Sequence, residues 1–147
     1  MEQYKKINEN KYACIIGHKS NETREIPINS ILYIETKSRK TLIHTEEGCF
    51  ISDEKINDLE NRLETYGFYR SHKSYLTNMA KVEYIDKEFA YFKDNEKSYV
   101  SVRKYAETKK RYIAAKKKNR SYVIKNGMNV KKNNVHVVFF RRSCKVY

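Results

Sequence analysis

Residues 67–78 read GFYRSHKSYLTN. Arg70, His72 and Lys73 stand between two apolar pairs, Phe68–Tyr69 and Tyr75–Leu76, with hydroxyls at Ser71, Ser74, Tyr75 and Thr77. Guanidinium and ammonium donors beside small hydroxyls are the chemistry of a phosphate and base-edge reader. An active site, a metal site and a solvated basic loop are the alternatives. The surroundings of the stretch discriminate among them.

On its N-terminal side the apolar period is helical. SDEKINDLENRLETYG (52–67) places Ile56, Leu59, Leu63 and Tyr66 on one face, with Ser52 or Asp53 as N-cap and Gly67 where a C′ glycine belongs. Further out the chain reads as short strands rich in Ile, Tyr and Thr: YACIIG (12–17), REIPI (24–28), ILYIET (31–36), TLIHT (41–45) and GCFIS (48–52). Asn29–Ser30 and Glu46–Glu47–Gly48 are turn signals, the second closing a hairpin. On the C-terminal side KVEYID (81–86), FAYFK (89–93) and SYVSV (98–102) return to strand character, and Lys93–Glu96 links the last two. A second helix is expected over 103–117, its apolar side made by Tyr105, Ala106, Tyr112 and Ile113.

A chain of 147 residues fits one ordinary domain. The formal charge of +13 is unevenly distributed: residues 1–102 hold 16 Lys/Arg against 17 Asp/Glu, and residues 103–147 hold 15 against one. Such a tail binds nucleic acid loosely by counterion release whatever precedes it. It contains two strand-like patches, SYVI and VHVVFF, around an Asn–Gly turn signal, and reads either as a terminal hairpin or as an extension without a fold of its own. No apolar run approaches a bilayer span and MEQYKKINENK lacks the apolar region of a signal peptide, so a cytoplasmic protein without a membrane partner is expected. Cys14, Cys49 and Cys144 lack a C-x-x-C pair and read as reduced, mostly core thiols.

Catalytic chemistry has no visible carrier. His18, His44, His72 and His136 could meet a cysteine in space, but no spacing demands it, and His44 alternates within an apolar strand as a structural histidine does. The four glycines are isolated, so no phosphate-cradling loop is formed. No catalytic residue, metal site, cofactor or small-molecule substrate is expected. A second basic cluster, Lys37–Ser38–Arg39–Lys40, lies between two strands and would project from a tight loop. Either cluster alone would read as solvated loop charge.

Taken together, ILYIET followed by KSRK, the helix DEKINDLENRL, GFYRSHKSYLTN, KVEYIDK and SYVSVRKY make the chain resemble the LytTR family of bacterial DNA-binding domains from about residue 12 to 117. The central stretch is the most specific of these. The resemblance implies a mainly β, elongated antiparallel fold with one clear mid-chain helix, a short helix near 103–117, and loops entering successive major grooves of double-stranded DNA. It implies base contacts from Arg39, Lys73 and Arg103, with Lys37, Ser38, Lys40, Arg70, His72 and Ser74 on the DNA backbone. The expected organisation is a lead-in at 1–11, the DNA-binding domain at 12–117 and a basic extension at 118–147, without the receiver domain usual in response regulators. A second copy is expected to bind an adjacent half-site, roughly one DNA turn away. Two other functions remain open: non-specific nucleic-acid or RNA binding driven by the tail, and an antagonist module that pairs with a full-length regulator.

Overall fold

The computed structural model describes residues 13–118. Among them, seven strands form one antiparallel sheet: β1 (Cys14–Lys19), β2 (Glu22–Pro27), β3 (Ile31–Lys37), β4 (Lys40–Thr45), β5 (Gly48–Ser52), β6 (Phe68–His72) and β7 (Tyr75–Asn78). Their order is β2-β1-β5-β4-β3-β7-β6. Three short strands, β8 (Tyr84–Ile85), β9 (Phe89–Tyr91) and β10 (Lys97–Tyr99), form a second antiparallel sheet. Helix α1 is Ile56–Leu63, and a second helix, α2, spans 105–118. The chain divides into two compact units, Met1–Tyr112 and Ile113–Tyr147. The first holds both sheets, α1 and the start of α2; the described residues of the second, 113–118, are helical. The fold is therefore mainly β and antiparallel.

Strand alternation builds the core. Ile15, Ile26, Ile34, Ile43, Phe50 and Leu76 are buried on the inner face of the large sheet, where they join Ile56, Leu59 and Leu63 of α1. Burying a side chain of this size contributes roughly 1.5–3 kcal/mol. Gly17 leaves room for the core side chains of its neighbours: a Cβ there would lie 2.3 Å from Ile26 Cδ1 and 3.0 Å from Phe50 Cβ. On the other face, Tyr33 stacks on Phe92 at 5.4 Å and donates to Glu96 at 3.1 Å, which ties the small sheet to the large one.

Several expectations need correction. The segment 67–78, which the resemblance makes a DNA-reading loop, is mostly strand. It is the β6–β7 hairpin, with only Lys73 and Ser74 between the strands. Helix α1 starts at Ile56, and Lys55 occupies the N-cap position without a side-chain cap. Ser52 is unavailable for that role because it ends β5, paired with Thr41, and its Oγ accepts from the Glu54 N–H at 3.0 Å. Gly67 does terminate this region, at φ +88° after the 3-10 turn Glu64–Tyr66. The expected strand over 81–86 shrinks to Tyr84–Ile85, because Met79–Lys81 forms a 3-10 turn capped by Asn78.

In α2 the fully buried residue is Thr108, which bonds the Lys104 carbonyl, while Ala106 and Ile113 are exposed. Cys49 is exposed and Cys14 half-buried, since both fall on the outward phase of their strands; neither is a core thiol. The lead-in at 1–11, the patches SYVI and VHVVFF, and Cys144 lie outside the described residues.

Candidate nucleic-acid interface

The β3–β4 hairpin closes with Lys37 opposite Lys40, so Ser38 and Arg39 are its entire loop. Both have left-handed backbones, φ +50° and +67°, as a two-residue turn matched to the right-handed twist of its strands requires. Such a turn favours Asn and Gly, and a serine and an arginine there are held against their preference by the paired strands. The result is a tight two-residue tip on which Lys37, Ser38, Arg39 and Lys40 are all exposed.

The β6–β7 tip lies beside it. Glu35 of β3 pairs with Tyr75 of β7, and one residue further the Thr36 N–H donates to the Ser74 carbonyl at 2.9 Å. The two hairpins thus leave the sheet at the same end of its strands. Within the second tip, the Ser74 N–H donates to His72 Nδ1 at 3.0 Å. That bond requires an unprotonated Nδ1, so the neutral ring carries its proton on Nε2 and keeps a donor. Burial, then the neighbouring Lys73 and Arg70, hold the His72 pKa below its ordinary value. Tyr75 is pushed the other way, first by burial and then by its hydrogen bond to Glu35. Glu35 also accepts from His44 at 2.7 Å, so this carboxylate is engaged behind the tips rather than exposed among the cations.

Arg103 follows β10 in a 3-10 turn, Val102–Lys104, whose N-cap Ser101 accepts from the Lys104 N–H. The turn is fastened to β6: the Ser101 N–H donates to the Ser71 carbonyl at 2.9 Å, and Lys104 Nζ donates to the Arg70 carbonyl at 3.0 Å. Arg39, Lys73 and Arg103 are all exposed, and none of their side chains has a hydrogen-bond or ion-pair partner among the described residues. Ser74 and His72 are half-buried on the same hairpin. Arg70 is placed differently. Its guanidinium faces Glu60, Asn57 and the Lys73 carbonyl, and its side chain is 14 % exposed.

Two features of this region escaped the sequence reading. Lys104 anchors the Arg103 turn and also lies over the Tyr69 ring at 5.3 Å. Tyr99, 48 % exposed, packs 5.8 Å from His72 and 5.2 Å from Tyr75. Its place beside the tip depends on β10 crossing to β7, which no local pattern signals. A cleft of about 380 Å³ lined by Leu32, His44, Cys49, Lys93 and Glu96 lies at the Thr45–Gly48 end of the β4–β5 hairpin, away from the tips. Among the described residues no group of three or more His, Cys, Asp or Glu side chains is arranged to hold a metal.

The chain has relatives. The family model described as LytTr DNA-binding domain matches residues 21–112. The transcriptional regulatory protein YpdB of Escherichia coli K12 is 29 % identical over 63 residues, which are 43 % of this chain and 26 % of that protein. YpdB of Shigella flexneri matches to the same extent. The chain therefore aligns with about a quarter of the length of these relatives. Among solved structures, the LytTr DNA-binding domain of a protein described as a methyl-accepting/DNA response regulator from Bacillus cereus superposes with a TM-score of 0.62 at 19 % identity, covering 67 % of this chain and 94 % of that one. With the family match spanning well over half its length, the chain belongs to the LytTR family.

Proposed function

We propose that residues 12–117 form a domain that binds double-stranded DNA sequence-specifically within a bacterial transcription regulator. Arg39, Lys73 and Arg103 read base edges in the major groove, and Lys37, Ser38, Lys40, His72 and Ser74 hold phosphates. Arginine and lysine are the side chains that pair with guanine O6 and N7, each good contact supplying about 1–3 kcal/mol of discrimination. A flexible ammonium beside the reader positions without specifying.

The observation that carries this reading is the hydrogen bond from the Thr36 N–H to the Ser74 carbonyl, which sets two cationic tips side by side at one end of the sheet. Short hairpin tips suit readout because little loop ordering remains to oppose binding. Two copies would meet on neighbouring half-sites roughly one turn apart. Selection of bound duplexes from a random pool at physiological salt tests the proposal, and recovery of a defined motif is the expected result.

The excess of 15 Lys/Arg over one Asp/Glu in residues 103–147 favours a second reading, non-specific binding through the tail. The two readings separate on deletion of residues 119–147. Specific recognition predicts a weaker, less salt-dependent complex with the same motif, whereas tail-driven binding predicts that affinity collapses and no motif is recovered from either protein.

A further inference from the structure

Arg70 sits where the β6–β7 register shifts, between Tyr69 and His72. Its Nε donates to the Lys73 carbonyl at 3.0 Å, and its Nη2 donates to the same oxygen. Its Nη1 donates to Glu60 Oε1 at 2.7 Å and to Asn57 Oδ1 at 3.0 Å, both on α1. A guanidinium has five N–H donors in a fixed plane, so this fork can hold a turn carbonyl on one side and a helix carboxylate on the other. The Arg70 carbonyl in turn accepts from Lys104, the residue after Arg103. One residue therefore connects α1 to the Lys73 turn through its side chain and to the Arg103 turn through its backbone.

Stability alone does not account for this arrangement. Glu60 is 42 % exposed, and a pair with one partner so exposed is screened and contributes little to folding. Contact with phosphate is also poorly served, because reaching outward would require Arg70 to abandon the acceptors that now hold it. What the geometry does is fix the carbonyl of the residue whose side chain projects to solvent. We propose that Glu60 and Arg70 form a positioning clamp that sets the direction of Lys73, and secondarily of Arg103, and so controls base preference without touching DNA. The proposal rests on the reading of Lys73 as a base contact.

Charge makes the proposal separable from its rivals. Arg70→Lys keeps the charge but loses the planar fork. Glu60→Ala removes the carboxylate while adding one unit of net positive charge, and alanine is well tolerated in a helix. The probes are the duplex selected from a random pool by the unaltered chain and a scrambled duplex of the same composition. Binding is followed over a range of salt, with selection repeated on each variant and thermal melting used to verify folding.

The clamp predicts that both variants lose on the order of tenfold in affinity for the selected duplex. The scrambled duplex should bind Arg70→Lys unchanged and Glu60→Ala equally or more tightly. The base positions flattened should be those that Lys73→Ala flattens. If Glu60→Ala tightens both duplexes alike, net charge is acting and the clamp is overturned. If Arg70→Ala weakens both duplexes alike and lowers the salt slope by about one, Arg70 is a phosphate contact and the clamp is again overturned. If Lys73→Ala flattens a position while Glu60→Ala and Arg70→Lys retain it, the clamp alone fails. If Lys73→Ala leaves every position intact, the base-contact reading fails and takes the clamp with it.

Discussion

Thr77 Oγ1 lies 2.8 Å from Ser98 Oγ, a fully buried hydroxyl pair that joins the seven-stranded sheet to the three-stranded one. The contact continues through Ser71 Oγ, 2.9 Å from Thr77, which donates to the Tyr99 carbonyl at 2.8 Å. Because the single Ser71 proton goes to that carbonyl, the direction of the chain is fixed: Ser98 donates to Thr77, and Thr77 donates to Ser71. Thr77→Val keeps the shape but leaves Ser98 without this acceptor and Ser71 without its donor. The expected cost is about 1–3 kcal/mol. Thr77→Ser keeps the chain and loses only a methyl group, so it should cost less. Urea denaturation of the two variants checks the order, and equal stabilities would show that packing rather than the hydroxyl chain holds the sheets together.

The three exposed cations and their flanking lysines should behave as two classes. Arg39→Ala, Lys73→Ala and Arg103→Ala should each cost about 1–3 kcal/mol on the selected duplex and relax preference at a different base position. Lys37→Ala and Lys40→Ala should weaken all sequences about equally and reduce the salt slope by roughly one unit each. Repeating the selection on each variant decides the assignment. Unchanged motifs for Arg39, Lys73 and Arg103 would reduce all five to solvated loop charge.

Backbone conformation at the first tip gives a stability prediction that requires no DNA. Ser38 sits at φ +50°, where a β-branched side chain is strongly disfavoured, so Ser38→Val should cost roughly 1–3 kcal/mol. Ser38→Asn fits a left-handed turn and should be neutral or slightly stabilising. Thermal denaturation measures both, and a valine variant as stable as the parent would contradict the left-handed turn.

If His72 holds a phosphate as proposed, it should link pH to both folding and binding, with opposite signs. Its folded pKa is lowered by burial and then by Lys73 and Arg70, so the unfolded chain takes up the proton more readily. The stability due to the neutral ring is fully present above the unfolded value of about 6.5 and is lost as the pH falls from there towards the folded value. A phosphate beside Nε2 would favour the charged ring, so duplex affinity should instead rise as the pH falls below neutrality. Melting and binding curves at pH 7.5 and 5.5, compared with His72→Gln, check both trends. Affinity that responds to pH identically in the two proteins would remove His72 from the interface.

What the sequence determined by itself was local. Short runs rich in Ile, Tyr and Thr between turn signals marked β1 to β5, the spacing of Ile56, Leu59 and Leu63 marked α1, and Gly67 marked the break that follows it, because each of these signals is carried by neighbours in the chain. Arg39, Lys73 and Arg103, which the structure leaves exposed, were singled out only by the resemblance to the LytTR family, not by any visible proximity. Tertiary structure decided the rest. Ser52, which the sequence offered both as a strand end and as a helix cap, was claimed by the strand through its partner Thr41, and the helix starts at Ile56. The stretch 67–78 became a hairpin because β3 offers β7 a ladder from Tyr33, paired with Thr77, to Glu35, paired with Tyr75, across a long separation in the chain. Arg70, indistinguishable by sequence from a phosphate-binding arginine, was turned inward by a carboxylate on α1. Hydrogen bonds between distant segments leave no period in the sequence, so only the folded chain specifies which cations face solvent and which hold the others in place.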